Sequence, residues 1–374
     1  MNVLIAMDSF KGSLSSLQAE AAVRAGILRV DPKTVVTCVP IADGGEGTVD
    51  AILSAVGGQR IKTVCSDPLG RQIEGEYGIL PDGTAVIEIA AAAGLHLLTE
   101  TERDPIRTSS YGVGEMILDA VNRGARSFLI GLGGSSTNDG GIGMLQALGY
   151  ELLDSEGRSV PRGAKGLKKI HTISTAKRNP LLVECNFRIA CDVKNPLCGA
   201  SGASAVFGPQ KGADEFAVMQ MDRWMSSYGA LVTAVLPSSN TAAPGAGAAG
   251  GLGFAFMSFL GAKRLRGIDV VMDVCRMEEQ IRDSDLVITG EGRLDGQTEA
   301  GKAPWGIATL AKKYRKPVIA ICGSLGENAA ACNQYGIDAC FSVISSPCSL
   351  EDAMKNAEKN LSDTAEQVFR LLRL

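Results

Sequence analysis

The sequence predicts an α/β protein: a parallel-sheet domain that carries a second α/β domain as an insertion. Three observations predict it. Short apolar runs alternate with helical runs over the first forty and the last ninety residues, the rhythm of strand–helix–strand units in a parallel sheet. In the middle, Pro81-Asp82-Gly83 separates two strand-like runs and signals a hairpin, which a purely parallel sheet does not use. The length, 374 residues, also favours two cores over one.

The elements follow in order. Val3–Met7 is a short apolar strand. Ser15 with Gln18 forms a capping box for the next helix, on which Leu17, Ala21, Ala25 and Leu28 share one face. Val35–Ile41 is the second strand. The runs Gln72–Leu80 and Thr84–Ile89 make the hairpin, and Phe128–Leu132 and Phe187–Cys191 are further strands. The C-terminal part returns to the first rhythm. Asp285–Thr289, Pro317–Cys322 and Ala339–Ile344 are strands; Pro304–Tyr314 is a helix, and Ser349–Leu372 is a final one with Met354, Ala357, Leu361, Ala365 and Val368 inward. The domain edges fall near 65 and 280, so residues 1–65 with 280–374 form one domain and 66–279 the insertion.

Composition narrows the function classes. Hydrophobic residues make up 45% and charged ones 21%, as in ordinary globular chains. Glycine, at 45 residues, is nearly twice its usual share and points to tight turns and close backbone approaches. The net charge is −4 without a basic run, which argues against a nucleic-acid partner. The ten cysteines include no C-x-x-C pair, and several sit in apolar runs, so free thiols in a reducing, cytoplasmic compartment are expected rather than zinc or disulfides. The N-terminal run Met1-Asn2-Val3-Leu4 lacks the charged start of a signal peptide. Leu231–Ala262 is uncharged but broken by Pro237, Pro244 and several glycines, so it reads as a buried loop and helix and not as a membrane span. Histidine occurs only at His96 and His171, so a general base is expected to be a carboxylate.

Five Gly-rich segments stand where strands end, the edge at which open parallel sheets bind ligands. Met7-Asp8-Ser9-Phe10-Lys11-Gly12-Ser13 leads to a helix start, whose N–H groups suit an anion, with Lys11 adding a full charge. Asp43-Gly44-Gly45-Glu46 places two carboxylates around a Gly pair, suited to magnesium or a hydroxyl. In Gly133-Gly134-Ser135-Ser136-Thr137-Asn138-Asp139, small residues and three successive hydroxyls suggest a nest for phosphate or carboxylate. Asp192 ends an apolar strand and is expected to be partly buried and rigid, as a base should be; Lys211 follows in the tight turn Gly208-Pro209-Gln210-Lys211-Gly212. Glu291, Arg293 and Asp295 lie in the fifth segment, which runs on to Gly296–Lys302. That stretch nearly spells a phosphate-binding P-loop, but Ala303 stands where the magnesium-touching Ser or Thr belongs. The string Pro244–Gly253 has no reactive side chain; it either brings backbone to a ligand or lets elements pack closely.

Taken together, the strings MDSFKGS, ADGGEGT, GGSSTNDGG, CDVKNPLCG, FGPQKGA, PGAGAAGGLG and TGEGRLDGQT resemble the bacterial-type glycerate kinases of the family that phosphorylates the 2-hydroxyl. They run in order along the whole chain. The resemblance implies a Rossmann-like domain and a second α/β domain with an interdomain active site, and ATP, magnesium and D-glycerate as cofactors and substrate. On that footing Asp192 is the candidate base and Lys11 the candidate stabiliser of the moving phosphoryl group. Ser135, Ser136, Thr137, Asn138, Asp139 and Arg293, with Asp8 and Ser9, are candidates for substrate and phosphate. Asp43, Gly44, Gly45, Glu46, Lys211, Glu291 and Asp295 are candidates for nucleotide or metal. Transfer to the 3-hydroxyl, another hydroxy acid or a sugar stays open, as does a homo-oligomer. Two rivals are weaker. The galactokinase–homoserine kinase group has a similar Gly-Ser loop but no place for the other six strings, and solute receptors are usually exported.

Overall fold

The computed structural model describes residues 1–41, 45, 47–295 and 303–374. Among these, the strands in chain order are β1 (Asn2–Met7), β2 (Val35–Cys38), β3 (Gln59–Ser66), β4 (Gln72–Ile79), β5 (Ala85–Glu88), β6 (Ser127–Gly131), β7 (Glu151–Leu153), β8 (Thr172–Ser174), β9 (Asn186–Ala190), β10 (Lys263–Leu265), β11 (Leu286–Gly290), β12 (Arg293–Leu294), β13 (Val318–Cys322), β14 (Ser324–Leu325) and β15 (Ala339–Ser342). The chain divides into two compact units. Unit 1 comprises residues 1–43, 50–57 and 266–374; unit 2 comprises 44–49 and 58–265.

Unit 1 is built on a five-stranded sheet in the order β15-β13-β11-β1-β2, every neighbouring pair parallel. Its central strands are apolar on both sides, as strands covered on both faces must be. Val3, Ile5 and Met7 pack into a core with the helices Ser16–Val30 and Ala357–Leu372, while Leu4 and Ala6 pack into another with Gly267–Val274 and Ala303–Lys313. This is the doubly wound, Rossmann-like architecture expected. Its connections go one way from β1 to β2 and the other way to β11, so the switch point lies between β1 and β11.

The capping box forms as read: Ser15 Oγ accepts from the Gln18 N–H, and Gln18 Oε1 accepts from the Ser15 N–H. The predicted inward face of that helix does not. Leu17, Ala21 and Ala25 are exposed, and Ala19, Ala22, Val23 and Ile27 are buried instead. The reason is Gly26, whose missing side chain admits the helix Ala357–Leu372: a Cβ there would lie 2.2 Å from the Ser362 carbonyl. The single final helix of the sequence reading is two, Leu350–Lys355 and Ala357–Leu372.

Unit 2 has a mixed six-stranded sheet, β10-β9-β6-β5-β4-β3, in which β3, β4 and β5 pair antiparallel and β5, β6, β9 and β10 pair parallel. The hairpin at Pro81–Gly83 is its β4–β5 connection. One core serves the unit, with Phe128 stacked on Phe187 at 4.7 Å between ring centroids. The uncharged stretch from Leu231 contributes the end of the helix Glu215–Val235 and the buried helix Ala248–Phe259. No helix of the described residues is long and apolar enough to cross a membrane.

Candidate active site

In unit 1 the candidate residues collect where β1 and β11 end side by side. Met7 pairs with Gly290, and the Asp8 N–H donates to the Gly290 carbonyl at 2.9 Å. Asp8 and Glu291, the residues just beyond, are therefore neighbours at the switch point, and both are buried. The Asp8 carboxylate accepts from the Ser9 N–H at 2.7 Å. The loop then folds on itself. Phe10 is buried and exchanges backbone hydrogen bonds with Leu14 at 2.8 and 3.0 Å, and Ser13 Oγ donates to the Met354 carbonyl. That small clip leaves Lys11 exposed at the tip. Gly292 lies against the loop backbone: a Cβ there would stand 3.4 Å from Phe10 Cα and 3.6 Å from the Lys11 backbone nitrogen. Beyond Gly292 the chain forms β12, paired with β14, which presents Arg293 exposed and Asp295 half-buried.

The helix start after this loop, suggested by the sequence as an anion site, carries the capping box of Ser15 and Gln18. That box engages the Ser15 and Gln18 N–H groups, and Lys11 adds a full positive charge beside them.

In unit 2 the candidates again share one sheet edge. The parallel strands β5, β6 and β9 end abreast, Glu88 beside Gly131 and Gly131 beside Ala190. Glu88, not singled out in the sequence, accepts from the N–H groups of Gly47 and Val49 at 3.3 and 2.7 Å, which ties the second Gly-rich segment to this edge. Gly45 is described and accepts from the Thr48 hydroxyl at 2.7 Å. Asp43, Gly44 and Glu46 lie outside the described residues, as does the near-P-loop at 296–302.

The loop after β6 differs from its reading. Only Gly133, Gly134 and Ser135 have appreciable exposure; Ser136, Thr137, Asn138 and Asp139 are buried. Ser136 Oγ donates to the Ala93 carbonyl, and Asn138 Nδ2 donates to Ser204 Oγ at 2.8 Å. The anion nest is filled from within. Asp139 accepts from the N–H groups of Gly141, Gly143 and Ser110 and from Ser110 Oγ, at 2.9–3.3 Å. Burial pushes its carboxyl up, and those hydrogen bonds pull it back down.

Lys211 is buried too. Its Nζ donates to Ser135 Oγ at 2.8 Å and to the Thr137 carbonyl at 2.7 Å. Burial lowers this amine from 10.5 to about 7, with Asp139 acting in the opposite direction. The tight turn in the sequence is thus a device for inserting a cation beneath the loop.

The string Pro244–Gly253 resolves as close packing. Gly250 has φ +66°, and a Cβ on it would lie 2.0 Å from the Thr137 carbonyl. Its own carbonyl accepts from the Gly140 N–H at 2.9 Å. Gly247 donates to the Asn195 carbonyl, so one glycine-rich segment supports both the Ser135 loop and the turn after Asp192.

Asp192 departs from its expectation in one respect: it is exposed rather than partly buried. β9 ends at Ala190, and Cys191 makes the last sheet-like bond, to the Leu265 carbonyl, so Asp192 already stands outside the sheet.

The donor chemistry suits a hard cation. Asp8, Glu291 and Asp295 carry carboxylate oxygens on adjoining segments of unit 1, the donor type a hard cation takes, and magnesium needs only one or two carboxylates besides phosphate and water. Among the described residues there is no cluster of three metal-ligating side chains. The ten cysteines are free thiols.

Comparison with known proteins matches this organisation across its length. A family model described as the glycerate kinase family covers residues 3–373. The Escherichia coli K12 protein named glycerate 2-kinase is 45% identical over 373 residues, spanning 100% of this chain and 98% of its own. The Bacillus subtilis 168 protein named glycerate kinase is 44% identical, with 100% and 98% covered. A crystal structure from Salmonella typhimurium LT2, provisionally named glycerate kinase 2, superposes with a TM-score of 0.90 at 44% identity, covering 100% of this chain and 98% of that one.

Proposed function

The chain belongs to the glycerate kinase family, and on that premise we propose that it transfers the γ-phosphoryl group of ATP to the 2-hydroxyl of D-glycerate, with magnesium. The observation that carries the reading is the gathering of charged, Gly-rich segments at the C-terminal ends of parallel strands in each unit, Asp8–Lys11 with Glu291–Asp295 in one and Ser135 with Asp192 in the other. The name of the E. coli relative supports the 2-position.

Phosphoryl transfer requires alignment and charge neutralisation more than covalent help. Asp192, exposed and at the end of a fixed strand, accepts the proton of the 2-hydroxyl as its oxygen bonds to the γ-phosphorus; the bond from that phosphorus to the bridging oxygen breaks and ADP leaves. Lys11 balances charge on the moving group from the tip of its clipped loop. Ser135, the backbone of Gly133 and Gly134, and Arg293 hold the glycerate carboxylate and the phosphate oxygens. Asp8, Glu291 and Asp295, with Asp43 and Glu46, are the residues that would hold magnesium, which would supply charge neutralisation to the phosphate oxygens. Lys211 and the buried residues Ser136–Asp139 act as positioning groups, fixing the backbone on which Ser135 sits. Glycerate and ATP are then the partners, with no nucleic acid or membrane. The free thiols support a reducing, cytoplasmic setting.

Incubation with ATP, magnesium and D-glycerate, followed by phosphorus NMR, tests the reading. The expected product is 2-phosphoglycerate. A resonance of 3-phosphoglycerate would overturn the position, and no phosphoglycerate at all would overturn the activity.

A further inference from the structure

Unit 2 contains a cleft of about 350 Å³ that shares none of the residues assigned above to catalysis or binding. It is formed where two segments meet. The Lys165 N–H donates to the Ile106 carbonyl at 3.2 Å, and the backbone at Gly163 lies against Arg107, where a Cβ would come within 2.7 Å of the Arg107 carbonyl. This approach places Arg107, Arg162 and Lys165 around one opening. The other wall is the turn Asp67–Gly70, held by the Ser109 N–H bond to the Pro68 carbonyl at 2.9 Å.

The charge of the cleft is one-sided. Among the described residues no carboxylate pairs with Arg107, Arg162 or Lys165. The one carboxylate in the lining, Asp67, is already engaged by the N–H groups of Leu69 and Arg71 and by the Arg71 guanidinium. Arg162 is held in place, its guanidinium carbon 3.2 Å above the centre of the Tyr111 ring. Three cationic residues lining one concavity, in a chain of net charge −4, suit a multiply charged anion. Arginine forks match the oxygens of a phosphate, and the cleft is larger than inorganic phosphate alone.

The segment 107–111 also connects this cleft to the Ser135 loop. Arg107, Ser109 and Tyr111 line the cleft. Thr108 and Ser110 in the same segment hold the loop: Thr108 Oγ1 donates to the Ser136 carbonyl at 3.0 Å, and Ser110 binds the Asp139 carboxylate and accepts from the Met144 N–H. An anion that draws Arg107 and Tyr111 toward itself pulls on the residues that hold the loop.

We propose that this cleft is a separate binding site for a small phosphate-bearing anion, and that its occupancy adjusts the Ser135 loop through Thr108 and Ser110. The binding site stands independently of the kinase reading; its effect on turnover rests on that reading. The test uses the whole chain and the triple variant R107Q/R162Q/K165Q. The three side chains are exposed, so the core is untouched, and a circular-dichroism melt coincident with wild type verifies this. Inorganic phosphate and 2-phosphoglycerate are titrated calorimetrically. Binding of either probe that weakens at least tenfold in the variant supports the site, and the tighter probe identifies free phosphate or a phosphate ester as its ligand. Binding that is the same in both proteins, or absent from both, overturns it. In a glycerate kinase assay at saturating substrates the tighter probe should change the wild-type rate at least twofold and leave the variant unmoved, and without the probe the two proteins should have equal kcat. Loss of most basal turnover in a folded variant would overturn the separate site and make the cleft part of the substrate site. If wild type binds the probe but does not phosphorylate glycerate, the anion site stands and the kinase reading fails.

Discussion

The two units present their functional loops by opposite means. Unit 1 uses a regular doubly wound sheet, and its loops follow directly from adjoining strand ends; the Lys11 tip is held by a local clip between Phe10 and Leu14. Unit 2 holds its loop from inside. Lys211, Asp139, Ser110 and Gly250 all engage the segment from Ser135 to Met144, and most of that loop is buried. The difference teaches that a polar, Gly-rich string can be functional in two senses: it can meet the ligand, or it can hold what does. Substitutions at exposed positions of the unit 1 loops should therefore alter activity alone, whereas those beneath the unit 2 loop should alter activity and stability together.

The largest effects should come from the groups assigned to the reacting atoms. Asp192→Asn should lower kcat by about 10²–10⁴-fold, the range for loss of a general base, with ATP affinity little changed. Lys11→Met should lower kcat by roughly 10²–10³-fold, as for loss of a transition-state charge partner. Both variants should melt as wild type does, because both side chains are exposed. Steady-state kinetics and melting curves decide; near-normal turnover removes either residue from the mechanism, and a large drop in melting temperature breaks the contrast for that unit.

Gly250→Ala tests the other side of the contrast. A methyl group there would enter the Thr137 carbonyl at 2.0 Å, on a residue whose φ is +66°. Strain and overpacking at one buried point should cost about 2–5 kcal/mol. The chain has two tryptophans, one per unit: Trp224 in unit 2 and Trp305 in unit 1. Single-tryptophan variants give each unit its own fluorescence signal. Gly250→Ala should lower the midpoint seen by Trp224 and leave that seen by Trp305 in place; equal shifts would show the units melt as one.

The contrast also explains what was legible beforehand. Strands β1, β11 and β13 of unit 1 are apolar runs closed by glycine or a charged residue, so they and the loops after β1 and β11 could be read directly. The helix Ser16–Val30 was misread because alanines occupy both its faces, and the choice between them rests on Gly26, which records a contact with residues more than three hundred positions away. In unit 2, Ser136, Asn138 and Asp139 looked like ligand donors because their partners, Ala93, Ser204 and Ser110, are remote in sequence. Lys211 left a usable signal, a lysine between two glycines in a rigid turn, but not the direction in which it points. Glu88 and the cations of the cleft left none, since single charged residues at strand and loop ends are ordinary.

A smaller effect, with opposite sign in the two units, comes from buried titrating groups. Glu20 in unit 1 is raised from 4.5 to about 9, chiefly by burial. Between those values the native state keeps a proton that the unfolded chain has lost, so stability falls as pH rises from 4.5 to 9. Lys211 in unit 2 is lowered from 10.5 to about 7. There the unfolded chain holds the extra proton, so stability rises with pH from 7 to 10.5. Each slope spans at most several kcal/mol, at about 1.4 kcal/mol per pKa unit. Urea titrations across pH should show Glu20→Gln flattening the fall seen by Trp305, and Lys211→Met flattening the rise seen by Trp224. A fall in unit 1 that persists in Glu20→Gln would assign it to other groups.

The smallest expected effect is the most discriminating for unit 1. Ser15 caps the helix that follows the Lys11 loop, and Ser15→Ala removes the oxygen that accepts from Gln18. Loss of an N-cap costs about 1 kcal/mol, which should appear as a modestly lower midpoint at Trp305. The Lys11 tip is closed by the Phe10–Leu14 bonds and by Ser13 on the Met354 carbonyl, none of which uses the cap. Turnover at a temperature well below the melt should therefore be unchanged. If kcat falls along with stability, the loop and the helix start act as one element, and unit 1 then holds its functional groups by the same inward coupling as unit 2.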